Sequence, residues 1–378
     1  MSATTPSKPK VVIVGAGVLG LSTALVLCEK FTHPQLEITV IAEYGPHDLS
    51  MNAGLTNYPL YTSPWAGAHF RPFPSKNIQE ERESKLTRLT LQKFKELAKS
   101  NPESSIEFVQ GIEYFEKPDH FYKEIAPGFS NEMDNFSVLP TSSLPEGVEM
   151  GVKYDTWVVN SPLYLQFLYR KLRFQYKVNF ILTKLTSLRH VNSFVSGSPI
   201  IINCSGNGLQ YDGGNDLSNF PIRGQTLLIN PPSDCKFLHT TITHQSKENL
   251  WTFVIPRPLH GGIILGGTKQ VDESFTGVRD EDTRALLERG RKLYPELMKE
   301  NPETGEKYFD IVRINVGLRP ARKGGLNLSV ESKDVYLDRA NHVINNYGAG
   351  GMGYELSYGA AIAVYEKLLQ LVSSKSAL

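Results

Sequence analysis

A glycine-rich turn near the amino end constrains the fold more than any other feature of this sequence. Gly15, Gly17 and Gly20 follow a β-branched run and open an apolar stretch with the pattern of a helix. A second apolar run, 36–42, then ends at Glu43. This order predicts a strand, a tight turn, a helix and a second strand, which is the βαβ unit that binds dinucleotides.

Each glycine of the turn has a physical reason to be there. Gly15 permits the tight turn, Gly17 lets a pyrophosphate approach the backbone, and Gly20 lets the helix pack closely on the strand. The helix start supplies free N–H donors for the phosphates. Glu43 lies about 20 residues past the last glycine, where an acid can bind a ribose hydroxyl. The motif does not separate NAD from FAD, and a turn that only packs helix on sheet is the alternative.

Composition excludes several classes of protein. The chain has 378 residues, of which 40% are hydrophobic, so it can bury a large core and form two or three domains. Its 40 basic and 39 acidic residues give a net charge of +1, which offers no electrostatic reason to expect nucleic acid or an anionic membrane as a partner. The three cysteines, Cys28, Cys204 and Cys235, are too scattered for a disulfide framework or a metal site.

The two ends of the chain bear on location. The polar start, 1–10, lacks the apolar segment of a secretory signal, and no apolar run approaches the roughly 20 residues of a membrane helix. We therefore expect a soluble, intracellular protein. The tail Ser376-Ala377-Leu378 keeps the Ser and Leu of a peroxisomal address but has Ala in place of the basic residue. A peroxisomal and a cytoplasmic location both stay open.

Beyond the βαβ unit, helical and extended patterns alternate without an internal repeat. An antiparallel-looking middle and a glycine-rich turn near the end predict an α/β fold, α+β overall, with two interleaved domains. The predicted segments are a loop at 45–75, helices at 77–100, 162–171, 280–299 and 358–373, and strands within 105–160, 178–188, 199–203, 221–270 and 312–346.

Four further stretches separate the cofactors, namely 60–67, 253–258, 316–322 and 343–353. In this order, and together with the glycine turn, they resemble the FAD-dependent D-amino-acid oxidase family, which includes the D-aspartate oxidases. The resemblance covers roughly residues 10–365. It implies a Rossmann-like FAD-binding domain interleaved with an antiparallel-sheet substrate-binding domain. The expected boundaries are 10–60 plus 160–222 plus 310–378 for the FAD-binding domain, and 61–159 plus 223–309 for the substrate-binding domain.

The resemblance also implies a set of flavin contacts in which glycines let the backbone approach the ring and N–H donors stabilise the charge of reduced flavin. The expected FAD-binding residues are Gly15, Gly17, Val18, Leu19, Gly20, Glu43, Thr62, Ser63, Ala66, Gly67, Leu185, Cys204, Ser205, Gly206, Arg319, Gly350, Gly351, Met352, Gly353, Tyr354 and Glu355.

For the substrate, the resemblance implies that Arg319 binds the α-carboxylate. The planar fork of arginine makes two parallel hydrogen bonds, which fixes orientation as well as charge. Gly351 is expected in the same site. The flavin accepts hydride from Cα and O2 is reduced to hydrogen peroxide, so no acid–base side chain is assigned. A surface or salt-bridged arginine is the alternative at position 319.

Three residues depart from the family pattern. Phe253 stands where a tyrosine hydroxyl usually helps to hold the α-carboxylate. Asn345 replaces a histidine, and Glu355 stands where a neutral donor commonly approaches the flavin. A carboxylate there would repel reduced flavin unless it were protonated or turned aside. These departures concern the efficiency of the enzyme.

Two cations bear on the choice of substrate. Lys269 resembles the basic residue of D-aspartate oxidases, and Arg71 falls near a loop that borders the pocket in relatives. A cation in the pocket would pair with a side-chain carboxylate and disfavour apolar side chains. We therefore expect D-aspartate or D-glutamate as substrate. Either cation could instead be an ordinary solvated surface residue.

Other functions stay open. The chain could be an oxidase of neutral D-amino acids, glycine or sarcosine, or a catalytically silent flavin-binding protein. An NAD-dependent dehydrogenase fits least, because the carboxyl-terminal glycine-rich stretch suits a flavin held in place. The sequence makes no prediction of oligomeric state.

Overall fold

The computed structural model describes residues 8–31, 36–48, 58–335 and 339–375, and within 333–341 and 374–375 it describes the backbone alone. The tail signal at 376–378 lies outside these residues. The helices are α1 (Val18–Lys30), α2 (Ile78–Ser100), α3 (His120–Lys123), α4 (Ser161–Arg170), α5 (Asp280–Leu293) and α6 (Gly353–Lys375).

The strands are short to medium in length. They are β1 (Lys10–Val14), β2 (Glu37–Ala42), β3 (Ala68–His69), β4 (Ile106–Phe115), β5 (Ser137–Val138), β6 (Met150–Val159), β7 (Asn179–Leu182), β8 (Ile200–Asn203), β9 (Asn219–Ile229), β10 (Thr240–Gln245), β11 (Trp251–Pro256), β12 (Ile263–Gly266), β13 (Gln270–Val271), β14 (Lys299–Glu300), β15 (Lys307–Tyr308), β16 (Ile311–Arg322), β17 (Val330–Val335) and β18 (Arg339–Asn345).

The chain forms two compact units that alternate along the sequence. The first unit takes Met1–Thr56, Leu165–Phe220 and Pro320–Leu378, and the second takes Asn57–Tyr164 and Pro221–Arg319. Which unit serves the cofactor and which the substrate stays a prediction. Among the described residues, no helix is long and apolar enough to cross a membrane.

The first unit is built on a sheet with the order β17-β18-β8-β1-β2-β7. The strands from β18 to β7 pair in parallel, and β17 adds an antiparallel edge. Parallel strands of this kind are covered on both faces, which explains why β1 and β8 are almost wholly β-branched and buried. Helix α1 is buried along most of its length and packs against α6. The predicted βαβ unit is confirmed.

The second unit is built on a larger sheet with the order β13-β9-β12-β11-β10-β4-β6-β3. Most of its neighbours pair antiparallel, but β10 and β4 pair in parallel. One face is apolar: Leu227, Ile242, Val254 and Leu265 pack there with Leu286 of α5. The predicted α/β fold with a parallel and a largely antiparallel part is confirmed.

Three local predictions need correction. The last helix begins at Gly353, five residues before the expected start, so Tyr354 and Glu355 lie in its first turn. Helix α5 ends at Leu293, whereas the helix was expected to continue to residue 299. In α2, the apolar pattern of the sequence predicts a buried face that includes Leu89, but the side chain of Leu89 is 44% exposed. Successive residues of an α-helix are rotated by 100° about its axis, and the buried face recurs every 3.6 residues. Position 89 therefore falls on the side of the helix that points away from the core.

Candidate active site

The glycine turn fits the start of α1 against β8 with no space for side chains. Gly15 has φ +109°, and a Cβ there would lie 2.3 Å from the carbonyl oxygen of Cys204. A Cβ on Gly20 would lie 2.0 Å from the carbonyl oxygen of Gly15. Gly17 is the N-cap of α1 and no side chain caps the helix there. The first turn, with Val18 and Leu19, therefore offers the kind of backbone cradle that binds a pyrophosphate.

Glu43 follows the end of β2 directly, as the ribose-binding acid of such a unit should. It is half-buried, and its Oε1 lies 3.2 Å from Nζ of Lys184. Leu185, the next residue along, is half-buried and packs against the core on that side of the sheet. An exposed lysine at this distance leaves the carboxylate able to exchange partners, since exposed ion pairs contribute little.

The carboxyl ends of β1, β8 and β18 lie side by side and bring three distant segments together. The N–H of Cys204 donates to the carbonyl of Val14 (2.8 Å), and the N–H of Asn346 donates to the carbonyl of Asn203 (2.9 Å). Ligands of open parallel sheets bind at this edge of the strands. The predicted flavin residues after β1, β8 and β18 therefore share one edge.

The loop after β8 and the glycine stretch after β18 are joined directly. The N–H of Gly348 donates to the carbonyl of Gly206 (3.2 Å), and the N–H of Gly350 donates to the carbonyl of Pro320 (2.9 Å). Gly206, Gly348 and Gly350 all have positive φ, a conformation that favours glycine. Ser205 is held by its hydroxyl, which donates to Oδ1 of Asn203 (2.7 Å).

Beyond these loops, the remaining predicted residues of the first unit belong to the start of α6. Gly351 is exposed, Met352 and Gly353 are half-buried, and Tyr354 is buried. Glu355 lies in the first turn of the helix, where the helix dipole stabilises a carboxylate. This offers a reason for an acid at 355 that is independent of the flavin.

Asn345, the second departure, has a structural role. It is buried, its Oδ1 accepts from Nδ2 of Asn203 (3.1 Å), and its own Nδ2 donates to Ser329 and Glu331. Cys204 is also buried, and burial raises the pKa of its thiol to about 12, so it is a neutral thiol at physiological pH.

The glycine cradle, the uncapped helix start and the acid after β2 fit the adenosine and pyrophosphate part of FAD. Gly15 and Gly20 cannot carry a Cβ in this backbone, and the helix N-terminus favours an anion.

In the second unit, the segment Thr62–Gly67 is the expected flavin contact. A Cβ on Gly67 would lie 3.0 Å from Ile255 and from Ile264, so this segment is seated on the sheet.

Opposite its apolar face, the large sheet of the second unit has a more polar face. The paired positions Thr226, Gly266, Phe253, Thr243 and Glu113 form a row across five strands of this polar face. Side chains of directly opposed residues share one side of a sheet. Phe253, one of the predicted substrate residues, lies in this row.

Arg319, near the end of β16, is held close to β9. Its Nη1 lies 3.3 Å from the carbonyl oxygen of Thr268, and a Cβ on Gly224 would lie 2.3 Å from the same nitrogen. Burial lowers the pKa of the guanidinium. Within the described part of the chain Arg319 has no acidic partner. A desolvated arginine with an open fork is suited to receive a carboxylate.

Lys269 lies between β12 and β13 and is exposed. Its Nζ lies over the ring of Trp251, 5.4 Å from the centroid. Partial desolvation lowers the pKa of this lysine, and the positive charges of Arg71 and Arg319 lower it further. The described residues include no acid paired with Lys269. Three cations therefore act on one another here.

Arg71 differs from the other two because its charge is compensated. Its Nη1 lies 2.9 Å from Oε2 of Glu113, and its guanidinium lies 4.4 Å from the centroid of Trp251. Glu113 is 1% exposed and also accepts from the hydroxyl of Tyr154 (3.0 Å). Burial opposes the charged form of Arg71, but Glu113 and Tyr122 outweigh it and raise the pKa of the guanidinium. Arg71 is thus part of a neutral pair.

Phe253 occupies the centre of the polar face. A Cβ on Gly266 would lie 2.2 Å from Cε2 of its ring, and a Cβ on Gly267 would lie 2.6 Å from Cζ. The two glycines make room for a flat ring that packs on the strand beside it. The ring position of the family tyrosine is kept, while the hydroxyl donor is absent.

His69 adds a neutral group beside Arg71. Its Nδ1 lies 2.8 Å from the hydroxyl oxygen of Thr241, and that hydroxyl donates to the carbonyl of Val254 (3.3 Å). Nδ1 and the Thr241 hydroxyl therefore share a hydrogen bond. Burial and then the charge of Arg71 lower the pKa of His69 to about 3.

Sequence reasoning gave no role to several of these residues. Glu113, Trp251 and Gly224 carry no motif and are identified only by their neighbours across the sheet. Arg257 lies inside the family stretch 253–258 and was given no role. Its Nη2 donates to the carbonyls of Pro64 (3.1 Å) and Ala66 (3.0 Å), so the motif itself was the available signal.

Comparisons with known proteins identify the family. Residues 10–366 match the family described as FAD dependent oxidoreductase. The chain is 35% identical to a D-aspartate oxidase of Talaromyces thermophilus, with 97% of each chain covered, and 34% identical to a D-amino-acid oxidase of Schizosaccharomyces pombe, with 95% and 96% covered. The crystal structure of glycine oxidase from Bacillus cereus shares the fold, with a TM-score of 0.66 at 16% identity over 95% of this chain and 96% of that one. The chain therefore belongs to the FAD-dependent oxidoreductase family that includes the D-amino-acid and D-aspartate oxidases, and it is an enzyme whose cofactor is FAD.

Proposed function

We propose that this enzyme oxidises D-amino acids with acidic side chains, D-aspartate and D-glutamate, to 2-oxo acids with release of ammonia and hydrogen peroxide. The observation that carries the proposal is a pair of cations, Arg319 and Lys269, that have no acidic partner in the described residues and act on each other electrostatically. A dicarboxylic amino acid supplies one carboxylate for each. The α-carboxylate binds Arg319 and the side-chain carboxylate binds Lys269.

The charge balance of the polar face argues against neutral substrates. Arg71 was expected to help bind the side chain, but its charge is already compensated by Glu113. An apolar side chain would leave Lys269 facing no anion while displacing water from it, which costs binding energy. The name of the Talaromyces relative, D-aspartate oxidase, supports the same choice.

Each group of residues has a proposed task. In the first unit, the turn Gly15–Gly20 and Glu43 hold the adenosine and pyrophosphate end of FAD, and the segments Cys204–Gly206 and Gly350–Glu355 contact the flavin. In the second unit, Thr62–Gly67 is a flavin contact. When bound, FAD supplies the hydride acceptor. Arg319 fixes the substrate by its carboxylate, which sets the orientation of Cα. His69, neutral and with Nδ1 engaged, adds no charge to the site.

Steady-state kinetics test the proposal. Peroxide release should be measured with D-aspartate, D-glutamate, D-alanine and glycine, and L-aspartate serves as the stereochemical control. We expect kcat/KM for D-aspartate to exceed that for D-alanine by about tenfold or more, since one charge-assisted hydrogen bond contributes about 1.5–3 kcal/mol. A preference for D-alanine or glycine would refute acidic specificity. A protein with bound yellow cofactor and no peroxide release on any of them would be a silent flavoprotein.

A variant of Lys269 separates the side-chain site from the rest. Lys269→Met should lower kcat/KM for D-aspartate by about 10- to 100-fold and leave D-alanine unchanged or improved. Lys236→Met is a matched control, because Lys236 also lies over an aromatic ring, Phe237, but pairs with Glu296 elsewhere on the surface. Equal losses of kcat/KM for both substrates would mean that Lys269 does not recognise the side chain of the substrate.

A further inference from the structure

Two buried donors converge on one carbonyl of the segment Thr62–Gly67. Arg257 is 7% exposed, and its Nη2 donates to the carbonyls of Pro64 (3.1 Å) and Ala66 (3.0 Å). Ser161 is fully buried, and its hydroxyl donates to the same Ala66 carbonyl (2.8 Å). The Ala66 oxygen thus accepts both a charged and a neutral hydrogen bond.

The donors themselves are rigidly placed. Arg257 follows β11 directly, its N–H donates to the carbonyl of Gly262 (2.8 Å), and its carbonyl accepts from Gly261 (3.1 Å). The guanidinium therefore projects from a closed hairpin turn. Ser161 is the first residue of α4. Arg257 lies in this closed turn and Ser161 at the start of a helix, so the segment that they hold has little freedom.

The Ala66 carbonyl belongs to the same peptide group as the N–H of Gly67. That N–H meets no acceptor in the described part of the chain. Hydrogen bonds to a carbonyl polarise its peptide and strengthen the donor at the other end, by about 10–30% per bond. A cationic donor has a larger effect than a neutral one. The Gly67 N–H is therefore a strengthened donor that none of the described residues uses.

We propose that Arg257 and Ser161 are positioning residues that hold and polarise the Ala66–Gly67 peptide, so that the Gly67 N–H is a preset donor to the flavin. The inference rests on the proposed role of Thr62–Gly67 as a flavin contact. A donor fixed before reaction stabilises negative charge on the reduced ring without reorganisation. Arg257 acts through the Ala66–Gly67 peptide. Its effect is therefore measured as the affinity of the protein for FAD and as the midpoint potential of the flavin.

The same unit provides a matched control. Arg88 is also a buried arginine that donates to two loop carbonyls, those of Gly128 (2.6 Å) and Asn131 (2.7 Å). This loop is not an expected flavin contact. Loss of Arg88 reports the cost of removing a buried loop-holding arginine, and Arg257 should show that cost plus an effect on the flavin.

The experiment compares Arg257→Met, Arg257→Lys, Ser161→Ala and Arg88→Met with the wild-type holoenzyme. The readouts are the melting temperature, the Kd for FAD from titration of apoprotein, the flavin midpoint potential and the Kd for sulfite. Sulfite adds reversibly to oxidised flavin and places negative charge on the ring, so it reports stabilisation of that charge without a substrate. We expect Arg257→Met to raise the Kd values for FAD and sulfite about tenfold and to lower the midpoint potential. Ser161→Ala should act in the same direction by less.

The outcomes are separable. Arg257→Lys should recover part of the sulfite affinity because it keeps one charged donor, and it stands in for the methionine variant if that variant fails to fold. Arg88→Met should lower the melting temperature and leave the potential and sulfite affinity unchanged. If Arg257→Met behaves like Arg88→Met, Arg257 is only structural and the inference is wrong. None of these readouts uses an amino acid, so a failure of the acidic-substrate proposal would not alter them.

Discussion

At the scale of single residues, the charges near the candidate substrate site are only partly readable from the sequence. Arg71 and Lys269 are equivalent cations when read along the chain. The structure distinguishes them, because Glu113 of β4 pairs with Arg71, whereas Lys269 has no acid among the described residues. No local signal marks Glu113 as the partner of a residue 42 positions earlier. The sequence therefore predicts the sign of each charge, but it does not predict which cation is neutralised by a nearby acid.

The lowered pKa of Lys269 leads to a pH prediction. Desolvation and then the charges of Arg71 and Arg319 favour the neutral amine, so Lys269 loses its proton at a lower pH than an ordinary lysine of pKa 10.5. The ratio of kcat/KM for D-aspartate to that for D-alanine should be flat at lower pH and fall as pH rises through this lowered pKa. Taking the ratio cancels titrations common to both substrates.

The matched variant for this profile is Lys269→Arg. Arginine stays charged throughout the accessible range, so the alkaline fall of the ratio should vanish. A wild-type ratio that stays constant with pH would show that the charge of Lys269 does not select the substrate.

Gly224 provides a second residue-scale prediction. A Cβ there would lie 2.3–2.5 Å from Nη1, Nη2 and Cζ of Arg319, so Gly224→Ala should push the guanidinium away from its place. We expect KM to rise about tenfold or more for D-aspartate and D-alanine alike, since both bind through the α-carboxylate. Gly317→Ala is the control, because its Cβ would meet Thr62 at an ordinary 3.4 Å. Unchanged FAD content in both proteins would locate the loss in substrate binding, and a Gly224→Ala enzyme with normal KM would contradict the assignment of Arg319.

At the scale of elements, sequence pattern performed best where local chemistry decides the structure. The strand, glycine turn, helix and strand at 10–42 were predicted because every step has a local cause. The parallel pairing of β10 with β4 was not, since it joins segments about 130 residues apart within an otherwise antiparallel region. The start of α6 was placed too late because Gly353 was read as part of the turn, whereas glycine is tolerated at the first positions of a helix.

The glycine turn predicts how the first element responds to substitution. Alanine normally favours a helix over glycine by about 1 kcal/mol, but a Cβ on Gly20 would lie 2.0 Å from the Gly15 carbonyl oxygen. The clash should prevail, so Gly20→Ala should purify with little FAD and bind added FAD at least tenfold more weakly. Gly147→Ala tests the specificity of this effect. Gly147 has φ +81° and open space around it, so its variant should lose about 1 kcal/mol of stability and keep its FAD.

At the scale of the whole molecule, the predicted cofactor residues come from segments that lie far apart in the sequence. The turns after β1, β8 and β18 are separated by more than 100 residues each, yet parallel pairing brings their carboxyl ends to one edge. The family resemblance indicated which segments belong together. The physical reason, parallel register between the three strands, became visible only with the sheet assembled.

This dispersed site implies that FAD stabilises the fold as a whole. A ligand that binds the native state alone stabilises it by RT ln(1 + [L]/Kd), which is about 2.7 kcal/mol when free FAD is 100 times Kd. The melting temperature of the apoprotein should therefore rise with the logarithm of FAD concentration. Gly20→Ala should show little rise over the same range, whereas Lys269→Met should match the wild type, because the proposed role of Lys269 is to bind substrate and not FAD. If Gly20→Ala were stabilised by FAD as strongly as the wild type, the glycine turn could not be the pyrophosphate site, and the assignment of the first unit to the cofactor would have to be abandoned.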